Sequence, residues 1–160
     1  MTKDIPFLGE ILMKKKLITC QQLDDALKEQ RLSGKFLGAI LFEKRFISEP
    51  QLLEALSEQF NMPYESVKDR FIDWNLVNMF SSSLIVDHRC FPIKADEDYI
   101  TFAINNPLDM WLLDEAERQS MPRKIKTVLV AGADMDELLG RYRKYLQGKM
   151  GTLFKDDGNV

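Results

Sequence analysis

His88 and Cys90 stand two residues apart, a spacing that puts both on one face of a strand and would supply two ligands to a metal ion. Two ligands are too few, and nothing else in the chain clusters with metal-ligand spacing, so His88 reads as structural or solvent-facing. Asp24-Asp25 and Asp114-Glu115-Glu117 offer carboxylates in the numbers that general acid–base chemistry needs. They fall on expected exposed helix faces, where they read as solvated surface. Gly148 to Gly151 (GKMG) sets a lysine between glycines but lacks the upstream glycine and the Ser or Thr of a phosphate-binding loop. Arg141 to Tyr145 (RYRKY) interleaves bases and aromatics as single-strand binders do. That run is expected to close a helix, where cations suit the carbonyl end of the dipole. No catalytic constellation emerges, and an enzyme is not expected.

Composition narrows the classes further. Hydrophobic residues at 45% and charged residues at 29% are ordinary globular values that exclude wholesale disorder. A net charge of −3 argues against a nucleic-acid polymer as partner. Cys20 and Cys90, 70 residues apart with no CxxC pattern, read as free thiols in a reducing compartment. No apolar run approaches the ~20 residues of a membrane span. MTKDIPFLGEILMKKK fails as a signal peptide because Glu10 and the lysines interrupt it. A cytoplasmic protein without a cofactor is expected.

The elements that would position any site begin with a duplication. Phe7 to Gln30 reads FLGEILMKKKLITCQQLDDALKEQ, and 29 residues later Phe36 to Gln59 reads FLGAILFEKRFISEPQLLEALSEQ, identical at 13 of 24 positions. Each copy predicts a helical hairpin. Leu8, Ile11 and Leu12 mark a short helix that ends near Lys14-Lys15-Lys16. Thr19 and Gln22 form a capping box for a second helix with Leu23, Ala26 and Leu27 as its stripe, and Gly34 is its expected stop. The second copy repeats this with Leu37, Ile40 and Leu41, then Ser48 and Gln51 as cap, Pro50 in the first turn, and a stripe of Leu52, Leu53, Ala55 and Leu56. Neither hairpin hides its apolar face alone, so the two are expected to pack together, related by an approximate two-fold or by translation.

Beyond the repeat, Asn61 to Ser83 reads as a connecting segment with one short helix. FPIKADEDYITFAI predicts a strand, an acidic turn at Ala95 to Asp98, and a second strand. Asn106 as N-cap with Pro107 and Asp109 opens a helix, KIKTVLVA is a strand, and Asp134 and Glu137 frame a final helix. The expected fold is mixed α+β: a four-helix arrangement over 1–60, a connection over 61–83, a small α/β subdomain over 84–146, and a tail or linker over 147–160.

Two units that each open on x-L-G-x-x-L and close on L-x-x-x-L-x-x-Q, followed by NMPY at 61–64, AINNPLD at 103–109 and VLVAGADMDELLGRY at 128–142, carry a family resemblance. Over roughly residues 6–146 the chain resembles the N-terminal domain of type II secretion and type IV pilus assembly ATPases, of the GspE/PilB type. It is most similar to the MshE-type variant that binds cyclic di-GMP. The resemblance implies a regulatory or docking domain that meets protein components of a secretion or pilus machine at the inner membrane. It implies no ATPase motor in this stretch.

As an alternative, the resemblance implies a cyclic di-GMP receptor whose repeats form two half-sites. Leu8, Gly9, Leu23, Leu27 and Gln30 would serve one half of the two-fold ligand, and Leu37, Gly38, Leu52, Leu56 and Gln59 the other. In that variant the first motif position is arginine, and here it is Phe7 and Phe36. A common glycine at the tenth position is Lys16 and Arg45. Phenylalanine stacks but donates nothing to guanine, and two lost bidentate contacts cost roughly 2–6 kcal/mol by analogy with guanine contacts in DNA. Exposed, Phe7 and Phe36 would instead suit a partner helix. A third reading takes Lys14-Lys15-Lys16 beside Phe7, Leu8, Ile11 and Leu12 as a membrane-surface segment.

Overall fold

A computed structural model describes residues 7–156, with side chains through Gly151. The opening MTKDIP and residues 157–160 of the expected tail lie outside the described residues. The element order is α1 (Leu8–Lys14), α2 (Cys20–Ser33), α3 (Leu37–Glu43), α4 (Glu49–Phe60), α5 (Trp74–Val77), α6 (Ser82–Val86), β1 (Cys90–Ala95), β2 (Tyr99–Ile104), α7 (Met110–Ser120), β3 (Lys124–Leu129) and α8 (Gly132–Asp156). The chain divides into two compact units, Met1–Tyr64 and Glu65–Val160. The fold is mixed α+β, as the sequence predicts.

In the first unit, local chemistry sets each helix end. Thr19 N–H donates to Gln22 Oε1 at 2.9 Å and Gln22 N–H to Thr19 Oγ1 at 3.1 Å. Ser48 and Gln51 repeat the exchange at 2.9 and 3.4 Å. These boxes satisfy amides that α2 and α4 would otherwise leave without acceptors. Helix α2 stops at Gly34, whose φ of +70° is a left-handed conformation that glycine adopts without strain.

The short helices end in another way. Leu17 N–H returns to Leu12 C=O at 3.0 Å and Lys16 N–H to Met13 C=O at 2.9 Å; Phe46 to Leu41 and Arg45 to Phe42 do the same at 3.0 and 2.9 Å. This paired closure needs one left-handed residue, usually glycine. Here Lys16 and Arg45 fill that place, each at φ +58°.

The second unit is a three-stranded sheet in the order β1-β2-β3, antiparallel between β1 and β2 and parallel between β2 and β3. Asp96 makes the acidic turn, its Oδ1 accepting from Asp98 N–H at 2.9 Å and Tyr99 N–H at 2.8 Å. Phe91, Phe102, Leu112, Leu129 and Met135 are fully buried within this unit. Phe80 meets Phe102 edge to face at 5.0 Å.

Several sequence expectations are corrected here. His88 lies in the turn before β1, so it shares no strand face with Cys90. Helix α7 is capped by Asp109, whose Oδ1 accepts from Leu112 N–H at 3.0 Å; Asn106 instead folds an Asx turn onto Leu108 N–H at 3.0 Å. The segment 61–83 holds α5 and the start of α6, and its residues from Glu65 on belong to the second unit. RYRKY closes no helix, because α8 runs on through Gly148 and Gly151 to Asp156.

Candidate functional site

The first unit is built around Leu8, Ile11, Leu12, Ile18, Ala26, Ile40, Leu41, Ile47 and Ala55, all buried in one cluster. Helix α1 of the first hairpin lies against α4 of the second, and α3 lies against α2. The ion pairs follow the same crossed scheme. Lys15 Nζ sits 3.1 Å from Glu58 Oε2, and Lys44 Nζ sits 2.7 Å from Glu29 Oε2. Both partners shift by 29 in opposite senses, which a translation cannot produce and an approximate two-fold does. The neighbouring Glu58 holds the Lys15 ammonium above its ordinary pKa, and Glu29 does the same to Lys44.

The two glycines of the repeated motif are helix contacts. A Cβ on Gly9 would lie 2.9 Å from Leu23 Cδ1. One on Gly38 would lie 2.8 Å from Leu52 Cδ1 and 3.3 Å from Leu8 Cδ2. Leu23 and Leu52 pack against these two positions, so each hairpin closes on its own glycine. Because Leu8 rests on Gly38, the N-terminal ends of α1 and α3 meet.

That meeting carries Phe7 and Phe36. They stand just before α1 and α3 in extended conformation, 74% and 52% exposed. Phe7 N–H donates to Glu10 Oε2 at 3.3 Å, whereas Phe36 has Ala39 at the corresponding position. Leu23, Leu37, Leu52 and Leu56 are half-buried and pack on the core, and Leu27 is half-buried as well. Gln30 Nε2 donates to Lys35 C=O at 3.3 Å and so ties the spacer between the hairpins; Gln59 is half-buried at the end of α4. The cross-hairpin pairs were not anticipated, although the offset of 29 between Lys15 and Lys44, and between Glu29 and Glu58, is the signal that reveals them.

The remaining candidates resolve as structure. His88 Nδ1 lies 3.0 Å from Asp109 Oδ2, and its ring stacks on Trp111 at 4.1 Å. Among the described residues no group of three His, Cys, Asp or Glu is placed to hold a metal ion. Burial pushes the Cys90 thiol up, away from thiolate chemistry. Asp24 pairs with Lys28 at 2.8 Å and Asp25 accepts from the Gln21 amide at 3.0 Å. The aromatics of RYRKY are spent internally: Tyr142 donates to Ser82 Oγ at 3.1 Å, and Tyr145 stacks on Trp74 at 4.1 Å. Among the described residues no helix is long and apolar enough to cross a membrane.

The family model of the MshEN domain matches residues 60–149, more than half of the chain. The chain belongs to the MshEN domain family. That match lies almost wholly in the second unit, past the duplicated hairpins. A structure of MshE with cdg superposes at a TM-score of 0.78 with 24% identity, covering 86% of this MshEN chain and 99% of its own. The N-terminal domain of XpsE superposes at 0.64 with 17% identity, covering 84% and 92%. At these identities the likeness is one of fold, and it spans the hairpins as well as the sheet. The type IV pilus assembly ATPase PilB of Myxococcus xanthus (strain DK1622) is 26% identical over 135 residues. Those residues are 84% of this chain but only 24% of the pilus ATPase's length.

Proposed function

We propose that this chain is a non-catalytic docking and regulatory domain of a secretion or pilus-assembly ATPase, acting through protein contacts at the inner membrane. The observation that carries the reading is the pair Phe7 and Phe36. Two equivalent aromatics, both exposed, flank the place where α1 and α3 meet. Exposed aromatics of this kind are costly to leave in water and are characteristic of interaction sites. Phe7→Ser with Phe36→Ser tests it. The natural chain is expected to retain inner-membrane components of a secretion or pilus machine from a native lysate, and the double variant is expected to lose them. Equal recovery by both, or recovery by neither, contradicts the reading.

A second reading has its own support. The fold is shared with MshE, solved with cdg, and the crossed hairpins offer a two-fold ligand two equivalent cradles. Under this reading Leu8, Gly9, Leu23, Leu27 and Gln30, with Leu37, Gly38, Leu52, Leu56 and Gln59, would line the cyclic di-GMP site. Against it stand the phenylalanines at the first motif positions, which donate nothing to guanine. No binding at millimolar cyclic di-GMP ends this second reading.

A further inference from the structure

The N-terminal end of α7 exposes three large apolar side chains. Leu108, Met110 and Trp111 are 41%, 65% and 52% exposed, within four residues of one another where the 105–109 loop enters the helix. One face of the Trp111 indole stacks on His88, which is in turn held by Asp109. The ring is therefore fixed in orientation while half its surface remains in water. A rigid, exposed tryptophan is the residue type most enriched among binding hot spots.

The charges of α7 that are left without an ion-pair partner have one sign. Asp114 lies one turn beyond Trp111 and Glu117 one turn further, both exposed on the face opposite the buried Leu112 and Ala116. Arg118, the cation on that face, is engaged by Glu115. Neither Asp114 nor Glu117 has an ion-pair partner among the described residues. An apolar patch with an acidic rim repels an anionic bilayer and attracts a basic segment.

We propose that the α7 face, centred on Trp111, docks a cationic protein segment in which lysine or arginine alternates with apolar residues. The apolar residues cover Leu108 and Met110. A cation rests against the exposed part of the indole and is offset by Asp114 and Glu117. This surface lies in the second unit and does not depend on Phe7 or Phe36.

The test uses the whole chain and a short synthetic peptide in which leucine and lysine alternate, with a leucine–glutamate counterpart as control. Fluorescence anisotropy of the labelled peptides should report binding of the lysine peptide alone. Trp111→Ala should weaken it by about tenfold or more. The double reversal Asp114→Lys, Glu117→Lys, which alters only exposed residues, should weaken it similarly and remove its salt dependence. In the natural chain the Trp111 indole N–H resonance should shift on titration, while that of Trp74, stacked on Tyr145, should stay in place. Undiminished binding by either variant, binding of neither peptide, or preference for phosphatidylglycerol vesicles over the lysine peptide would each overturn the proposal.

Discussion

Lys15 of the first hairpin reaches across to Glu58 of the second, Nζ to Oε2 at 3.1 Å. Lys44 returns the contact to Glu29 at 2.7 Å. Under a translational repeat, Lys15 meeting Glu58 would send Lys44 toward residue 87. The reciprocal pair instead makes the first unit a pseudo-symmetric body in which each hairpin completes the other. Phe7 and Phe36 are then equivalent positions of that body.

The left-handed residues are the first place to test this geometry. Lys16 and Arg45 close α1 and α3 at φ +58°, where an L-residue is strained and glycine is not. Lys16→Gly and Arg45→Gly should each stabilise the chain by a few tenths to about 1 kcal/mol, after allowing for the extra freedom of glycine in the unfolded state. Urea denaturation with an unchanged m-value checks this. Destabilisation by both would mean that the side chains make contacts outweighing the strain.

Gly38 is crowded from both copies of the repeat, by Leu52 and by Leu8. Gly38→Val should cost about 1–3 kcal/mol, as overpacking generally does. Leu52→Ala in the same chain should recover part of that loss, giving a non-additive pair. Gly9→Val, whose Cβ would lie 2.9 Å from Leu23 Cδ1, should cost a similar amount, and Leu23→Ala should recover part of it. Additive effects at Gly38 and Leu52 in a double-mutant cycle would contradict the packing described.

Asp109 predicts an acid-dependent contribution. Burial disfavours its charge, but the hydrogen bonds with His88 and from the Leu112 amide outweigh that and hold its pKa below the ordinary value. A carboxyl depressed on folding adds stability above its unfolded pKa of about 3.9 and loses it as pH falls through the folded value. Asp109→Asn should therefore flatten the loss of stability below about pH 4 relative to the natural chain. Asp109→Ala should cost about 1 kcal/mol at neutral pH through the lost cap. Urea midpoints at pH 6 and pH 3 measure both; parallel pH profiles for the natural chain and the asparagine variant would refute the assignment.

Much of this fold was legible because its signals are local. Thr19 with Gln22, Ser48 with Gln51, and Gly34 act within one helical turn, and each holds the place its residue type predicts. Non-local choices were not legible. A two-fold and a translation bury the same leucines, and the crossed packing of α1 on α4 and α3 on α2, with Lys15–Glu58 and Lys44–Glu29, separates them. Asn106 and Asp109 are both competent caps, and the turn that Asn106 makes onto Leu108 delays the helix to Asp109. Residues from 147 on read as a tail or linker, yet α8 runs through Gly148 and Gly151, which are exposed and cost it only about 1 kcal/mol each. In the candidate site the repeat set Phe7 and Phe36 at the head of each short helix, but their exposure is a finding of the tertiary structure. That Leu23 and Leu52 fill the space over Gly9 and Gly38 required the tertiary structure.

Calorimetric titration of cyclic di-GMP into the natural chain and into a Phe7→Arg, Phe36→Arg variant tests the account most directly. If the hairpins serve as a docking surface on a scaffold that has lost its nucleotide contacts, the natural chain gives no binding heat and the variant binds. Micromolar binding by the natural chain would contradict that account and make the two hairpins a working receptor.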